Sequence, residues 1–416
     1  MTMKLVIILA VLAISAINFI LQFIHYRSAN NPIPENVKDV YDNETYLKWQ
    51  KYHGENSRLE MISLVVYKLV LLLLLIFDCH AIFASLFGDS FFGVVLSVLI
   101  LDMVVETLVK LPFSYIGTMK IEEKYGFNRT TMKTFVKDEI IGFVFGLILN
   151  MLLVLGIYYT SMAGNWMPVI LSTILCIFML IMNVLFPYLN RIQNKFTPLE
   201  DGELKEKLIS LLTRHGYKVK AIEVMDASRR TTKSNAYFSG FGKEKKIVLY
   251  DNLINSMTED EICAVFAHEL GHGLNHDIPR LLFMNAVNMI ITALVAFLTV
   301  SLGTLYTDFG FNGINYSFAY IVMSAALLPL VMQLTSLVVN AVSRRAEYRA
   351  DEQAYKEGYA DALISGLKKL SRENFSHLSP SPLIVTLEYS HPPLSERIAA
   401  LDKLKETVNL GATENE

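Results

Sequence analysis

The chain has 416 residues, of which 53% are hydrophobic and 19% are charged, and its formal net charge at pH 7 is -3. About a quarter of the residues of a soluble globular protein are charged, so this composition indicates a membrane protein. A net charge of this sign offers no basic surface to a nucleic acid and excludes that class of partner. The three cysteines lack metal-ligand spacing and predict neither a disulfide framework nor a cysteine-based metal site.

Seven apolar runs are long enough to cross a bilayer as helices, because each has about 20 or more residues. In chain order they cover residues 3–24, 61–87, 91–116, 140–162, 167–189, 281–304 and 318–342. The first run continues past any plausible cleavage point of a signal peptide, so it is interpreted as a membrane helix. The predicted fold class is an all-α multi-pass membrane protein with seven transmembrane helices.

Two polar regions divide the chain into four predicted parts. These are a membrane domain with five spans (1–189), a catalytic segment (190–280), the last two spans (281–342) and a second catalytic segment with the tail (343–416). Between residues 234 and 251 the sequence alternates around Gly240 and Gly242, which predicts a small β-hairpin. Helical periodicity dominates the remainder of both polar regions.

Basic residues are unequally distributed among the links between the predicted spans. The links after the first and third spans carry five each, whereas residues 88–90, 163–166 and 305–317 contain no Lys or Arg. The positive-inside rule therefore places the basic links and both polar regions in the cytoplasm, and the N-terminus outside.

The third span also carries charged side chains. Asp102, Glu106 and Lys110 recur at four-residue spacing and therefore share one helix face. Two interpretations remain open, which are pairing with neighbouring helices and exposure to a water-filled interior. Both avoid the cost of a charge that faces lipid.

The pattern that carries chemistry is an HELGH segment at residues 268–272. His268 and His272 are one helical turn apart, about 6 Å along the axis, so both imidazoles leave the same face and can bind one ion. Glu269 lies beside the first histidine and is the predicted general base for a water molecule. Bound zinc lowers the pKa of water to about 7, which makes hydroxide available near neutral pH.

A bare HExxH pattern also occurs by chance on solvent-exposed helices, so its context matters. Residues 259–267 have the character of a helix that continues into the motif. Thr258 is the predicted N-cap and Glu261 its partner three residues later, which is the pattern of a capping box. This context favours a metal site.

A catalytic zinc site needs a third protein ligand and keeps one position open. His276 and Asp277 directly follow the motif and are predicted to be helix-end or supporting groups rather than ligands. Glu347 is the better candidate, because two spans separate it from the motif and return it to the same membrane side. Asp351, one turn further on, is predicted to accept the N–H of a ligand histidine. The alternative for this segment, a salt-bridged helix at the membrane boundary, is disfavoured by the HExxH motif.

The sequence resembles the type I CAAX prenyl proteases, which are seven-span zinc enzymes that process farnesylated proteins. The matching blocks occur in family order from residue 122 to the tail. They are EEKYGFN at 122–128, SNAYF at 234–238, the HELGH segment, SRR at 343–345 with Glu347, Ala350 and Asp351, and SHPPLSER at 390–397.

This resemblance implies a ring of seven helices around a large chamber, with a mainly helical zinc metalloprotease domain at its cytoplasmic edge. It implies one zinc ion per chain as the cofactor. It also implies that Asn235 and His391 stabilise the tetrahedral intermediate and that Arg397 holds Glu347.

The predicted function is a zinc-dependent membrane endopeptidase that releases the C-terminal tripeptide of prenylated CAAX proteins or peptides. The predicted partners are a peptide or protein substrate with a prenyl group and the lipid bilayer. The membrane is expected to be a prokaryotic plasma membrane or the endoplasmic reticulum, with the catalytic site facing the cytoplasm.

Two alternatives compete with this prediction. A relative of the HtpX-like heat-shock membrane proteases would share the zinc motif and degrade misfolded membrane proteins, but such proteins have fewer spans. A transporter or scaffold with a structural zinc belongs to another class, and its site would be closed by four protein ligands. Three predicted ligands and a general base favour catalysis.

Overall fold

Helices make up most of the computed structural model, which describes residues 2–88, 91–229, 236–239 and 244–413. The first helices are α1 (Met3–Ser28), α2 (Asn43–Ile76), α3 (Cys79–Ser85), α4 (Phe91–Ile116), α5 (Glu123–Tyr125), α6 (Met132–Ser161) and α7 (Met167–Gln193). They are followed by α8 (Glu203–Arg214), α9 (Asp251–Ser256), α10 (Glu259–Leu274), α11 (Asp277–Ser301) and α12 (Gly303–Asp308). The last are α13 (Tyr316–Val322), α14 (Leu328–Lys356), α15 (Ala360–Glu373), α16 (Pro382–Glu388) and α17 (Leu394–Thr413).

Seven helical stretches in the described part of the chain are long and apolar enough to cross a membrane. They are α1, α2, α4 continued through α5, α6, α7, α11, and α13 continued through α14. The two continued spans contain π-helical turns at Gly117–Glu122 and Met323–Leu327. The prediction of a seven-span helical membrane protein is confirmed.

The second span differs from its predicted bounds at both ends. It begins at Asn43, in polar sequence, because the Asp42 side chain caps the helix by accepting a hydrogen bond from the Thr45 backbone N–H at 2.7 Å. It ends at Ile76, and the chain turns at Asp78, which has a left-handed φ of 53°. Both Asp78 carboxylate oxygens lie 2.7 Å from Lys4 Nζ, so this turn is tied to the start of α1.

A four-stranded sheet lies between the fifth and sixth spans. Its strands are β1 (Phe196–Pro198), β2 (Lys218–Met225), β3 (Ala236–Ser239) and β4 (Glu244–Tyr250), in the order β1-β2-β4-β3. The antiparallel pair β3–β4 is the predicted hairpin, and its connecting loop lies outside the described residues. The prediction of helix elsewhere in this region was wrong for β1 and β2. The alternation of β2, KVKAIEVM, is a strand pattern, and β2 pairs with β4 in parallel.

A single hydrophobic core joins the first link to the segment that carries the HELGH motif. Val37 and Trp49 come from that link and from the polar start of α2, and they share a buried cluster with Ala264 and Leu270 of α10. Ile398 of α17 belongs to the same cluster. The motif helix is therefore held from both ends of the chain.

Candidate metal centre

His268, His272 and Glu347 come together where α10 packs against α14. Their ligand atoms lie within 4.8 Å of one another, and within residues 2–88, 91–229, 236–239 and 244–413 they form the one such group of His, Cys, Asp or Glu. Glu347 Oε2 lies 3.5 Å from His268 Nε2, and Oε1 lies 3.4 Å from His272 Nε2. The predicted triad is therefore assembled with its Nε2 and carboxylate atoms facing one another.

The start of α10 is fixed by the predicted capping box. Thr258 Oγ1 accepts a hydrogen bond from the Glu261 backbone N–H at 3.3 Å, and Glu261 Oε2 accepts one from the Thr258 backbone N–H at 2.8 Å. Lys369 of α15 lies 2.6 Å from the same carboxylate. Because the helix begins at a defined residue, the direction in which its histidines point is also defined.

A close approach of two helix backbones brings Glu347 to the motif. A Cβ atom on Gly271 would lie 2.7 Å from the Ala350 Cα and 3.0 Å from the Gln353 Cβ, which is closer than carbon atoms pack. Only glycine fits there without displacing α14. The HELGH motif alone does not indicate this role of Gly271, but the small residues Ala346, Ala350 and Ala354, at four-residue spacing on α14, are a signal for it.

A buried network supports His268. Its Nδ1 lies 2.8 Å from Asp351 Oδ1, as predicted for a supporting carboxylate. Arg397 of α17 donates to both oxygens of Asp351, from Nη2 at 2.6 Å and from Nε at 2.9 Å. The implied partner of Arg397 was Glu347, which lies 3.5 Å from Nη1. The shorter contacts of Arg397 are therefore with Asp351.

A second carboxylate supports His272. His272 Nδ1 lies 3.1 Å from Oδ2 of Asp277, which is the first residue of α11 and is only 4% exposed. Arg349 Nη2 donates to the other oxygen of Asp277 at 2.6 Å, and Arg280 Nη1 donates to it at 3.3 Å. Asp277 thus occupies the position of a supporting group, one of the two roles predicted for it.

A cleft of about 310 Å³ opens beside these residues, and both Glu269 and His391 line it. His391 Nδ1 lies 2.9 Å from Glu347 Oε1, and its side chain is 66% exposed. Arg344 holds the preceding segment, because its Nη1 donates to the carbonyl groups of Val385 and Tyr389 at 2.8 and 2.7 Å. Sequence reasoning gave Arg344 no such role. The predicted site residue Asn235 lies outside the described residues.

The residues fit a divalent cation. Glu347 Oε2 is buried and has no hydrogen-bond partner among the described groups, so a ligand at this atom would satisfy it. Burial lowers the pKa of His268, but the neighbouring carboxylates of Asp351 and Glu347 overcome this effect and raise the pKa to about 9, so the surroundings favour positive charge. Two imidazoles and one carboxylate, with a fourth position open, are a ligand set of catalytic zinc sites.

The fold and the site together define a helical membrane metallopeptidase, with two histidines of one helix facing a glutamate of another. The profile of peptidase family M48 matches residues 198–405, and that of the CAAX prenyl protease N-terminal region, described as five membrane helices, matches residues 22–191. This chain therefore belongs to peptidase family M48, within the group of CAAX prenyl proteases.

Most of the chain is similar in sequence to curated CAAX prenyl proteases, and it is similar in fold to a protein of known crystal structure. A CAAX prenyl protease 1 homolog from Arabidopsis thaliana is 39% identical over 71% of this chain and 70% of its own length. CAAX prenyl protease 1 from Saccharomyces cerevisiae is 34% identical over 72% of this chain and 70% of its own length. The crystal structure of S. mikatae Ste24p matches with a TM-score of 0.86 and 29% identity, and the match covers 97% of this chain and 99% of that one.

Proposed function

We propose that this chain is a zinc-dependent endopeptidase that removes the C-terminal tripeptide after a prenylated cysteine. The observation that carries the proposal is the cluster of His268, His272 and Glu347 beside an open cleft, in a chain whose relatives include CAAX prenyl protease 1. Membership of a metallopeptidase family disfavours a transporter or scaffold with a structural zinc.

In this proposal His268, His272 and Glu347 hold one zinc ion per chain. The zinc ion, when bound, acts as a Lewis acid on the scissile carbonyl and makes water more acidic. Glu269 lines the same cleft, takes a proton from the attacking water and returns it to the amine that leaves. Asp351 keeps the His268 Nδ1–H in a hydrogen bond, so that Nε2 presents its lone pair toward the ion.

The remaining assigned roles are also proposals. His391 projects into the cleft and stabilises the negative charge that develops on the scissile oxygen. Asn235 precedes β3 and is assigned to the same task. Arg397 acts through Asp351, because its two short contacts hold the carboxylate that orients His268.

An extended, lipid-modified peptide suits this arrangement. β3 is the last strand in the described order β1-β2-β4-β3, and a substrate strand added beside it would extend the sheet. The most apolar windows of the seven spans are only 11–28% buried, so the spans offer a large apolar surface next to which a prenyl chain can lie. Backbone pairing gives little side-chain selectivity, so the prenyl group is expected to aid binding without being required.

The membrane and the side of the site are part of the proposal. The basic links support a cytoplasmic location for the proposed catalytic segments, and the proposed membrane is that of the endoplasmic reticulum or a prokaryotic plasma membrane. Both locations give the site access to cytoplasmic C-termini.

The test compares three substrates with purified protein in detergent. These are a farnesylated CAAX peptide, its unmodified twin and a peptide from an internal loop of a membrane protein. Mass spectrometry should detect the free C-terminal tripeptide from the farnesylated peptide, with faster release than from the unmodified one. Cleavage confined to unfolded membrane proteins, without release of a tripeptide, would instead support the quality-control function of the HtpX-like alternative.

A further inference from the structure

We propose that Asp277 is the positioning residue for the second metal ligand, and that through it the first turn of the sixth span helps to set metal affinity. The proposal rests on the proposed function only in assuming that His268, His272 and Glu347 bind a metal. It concerns a residue outside the HELGH segment and outside the ligand set.

The geometry assigns the two ring nitrogens of His272 different partners. Nε2 lies 3.4 Å from Glu347 Oε1, on the side where the ligand atoms converge, and Nδ1 lies 3.1 Å from Asp277 Oδ2. A carboxylate accepts hydrogen bonds only, so Nδ1 is the donor to Asp277, and Nε2 is left as the nitrogen that can offer a lone pair to a metal. Asp277 therefore selects the tautomer that can ligate a metal.

The two oxygens of Asp277 have separate tasks. Oδ2 serves His272, whereas Oδ1 accepts from Arg349 at 2.6 Å and from Arg280 at 3.3 Å. A carboxylate this deeply buried needs such compensation of its charge. Because Arg349 lies on α14, the same contact also ties the turn between α10 and α11 to the helix that carries Glu347.

This arrangement repeats on His272 what Asp351 does for His268. Both carboxylates are buried, both meet a ligand histidine at Nδ1, and both are held by an arginine. Asp351 belongs to the same helix as the third ligand, whereas Asp277 begins a membrane span. Ile278 and Leu281, the first and fourth residues after Asp277, line the cleft, so the histidine and the cleft wall are both held by the start of this span.

The test measures zinc affinity by competition with a chromogenic chelator, together with melting temperatures in zinc and in EDTA. Asp277→Ala should raise the dissociation constant of zinc about 10- to 100-fold, the usual effect of losing a group that supports a metal ligand. Asp277→Asn keeps the shape of the side chain and should give a smaller rise. Asp361→Asn makes the same change in the first turn of α15, at an exposed residue paired with Lys405, and should leave the affinity unchanged.

The melting temperatures in zinc and in EDTA distinguish a positioning role of Asp277 from a structural role. A structural role lowers the melting temperature equally with zinc and with EDTA, whereas a positioning role shrinks the increment that zinc adds. An unchanged increment and an unchanged dissociation constant in both variants would overturn the proposal. If the wild type binds zinc but releases no tripeptide, the proposed function fails while this inference stands, since neither readout involves a substrate.

Discussion

The carboxylate of Glu347, on α14, meets groups from two other helices and one loop. His268 and His272 approach it from α10, Arg397 from α17, and His391 from the loop that precedes α17. Glu269 lies on the same cleft but forms none of these contacts. The proposed metal ligands and the proposed general base can therefore be tested by separate substitutions.

Glu269→Gln should leave about one zinc ion per chain bound and reduce kcat by at least two orders of magnitude. Glutamine keeps the size of the side chain but cannot accept a proton, and general acid–base groups contribute about 10²- to 10⁴-fold. Atomic emission checks the predicted metal content, and mass spectrometry of the released tripeptide checks the predicted loss of kcat. Glu352→Gln, an exposed carboxylate on α14 paired with Lys356, is the matched control and should be fully active. Turnover at the wild-type rate by the first variant would remove Glu269 from the mechanism.

At the scale of the helix pair, the close contact between α10 and α14 requires that residue 271 has no side chain, as in Gly271. Gly271→Ala should lower the melting temperature and weaken zinc binding, because the new methyl group displaces the backbone of Ala350 and with it Glu347. Overpacking of this kind costs about 1–3 kcal/mol. Gly142→Ala in α6 is the matched control, since a Cβ there meets nothing within 4 Å. If both variants melt like the wild type, the contact does not require glycine.

Histidines hold another contact between elements, at the loop between α15 and α16. His377 lies against His25 of α1 and His53 of α2, with ring centroids 5.6 and 5.1 Å apart. Its Nδ1 accepts a hydrogen bond from the Ser379 backbone N–H at 3.3 Å, and its Nε2 lies 2.8 Å from Ser28 Oγ. Ser28 Oγ donates its hydrogen to the His25 carbonyl, so it accepts a hydrogen bond from His377 Nε2. Because His377 Nδ1 is itself an acceptor, the ring carries one hydrogen and is neutral.

This cluster predicts a loss of stability in acid. Burial and the neighbouring histidines lower the pKa of His377 to about 3. The unfolded chain takes up the proton below about pH 6.5 and the folded chain only near pH 3, so stability falls across this window as the pH drops. One such group costs about 1.4 kcal/mol per pH unit. His377→Gln should flatten the decline in melting temperature between pH 7.5 and 5.

The control for this experiment is His215→Gln, which changes a histidine paired with Glu357 and leaves the cluster intact. That variant should decline with pH as the wild type does. If the melting temperature of His377→Gln falls with pH as steeply as that of the control, protonation of His377 does not cause the loss of stability.

At the scale of the whole molecule, the positive-inside rule predicts the orientation of the bundle. Single cysteines at Asn30 and Asn312, in a chain without Cys79, Cys176 and Cys263, should react with an impermeant maleimide from opposite sides. Both positions are exposed, the first after α1 and the second between α12 and α13. Reaction of both cysteines from one side would contradict the proposed topology. If neither cysteine reacts, the labelling is repeated after detergent has been added.

The spans could be predicted because hydropathy is a local property of about 20 residues. The common face of His268 and His272 could be predicted equally well, since it follows from their four-residue spacing. The contact between His268 and Asp351 spans 83 residues, and no local pattern sets it, so its prediction needed the membrane topology. Asp277 was left between two roles because either suits a helix start, and β1 and β2 were missed because helical periodicity was applied to the whole region.

The long separation between the halves of the centre bears on biosynthesis. Arg397 follows His268 by 129 residues, which at about 5–20 residues per second corresponds to about 6 to 26 seconds of translation. Within that interval Glu347 is made 79 residues after His268, and Arg397 follows 50 residues later. While it is being made, the chain therefore carries an incomplete site. The cluster is complete only when α17, the last helix, has been made and has docked.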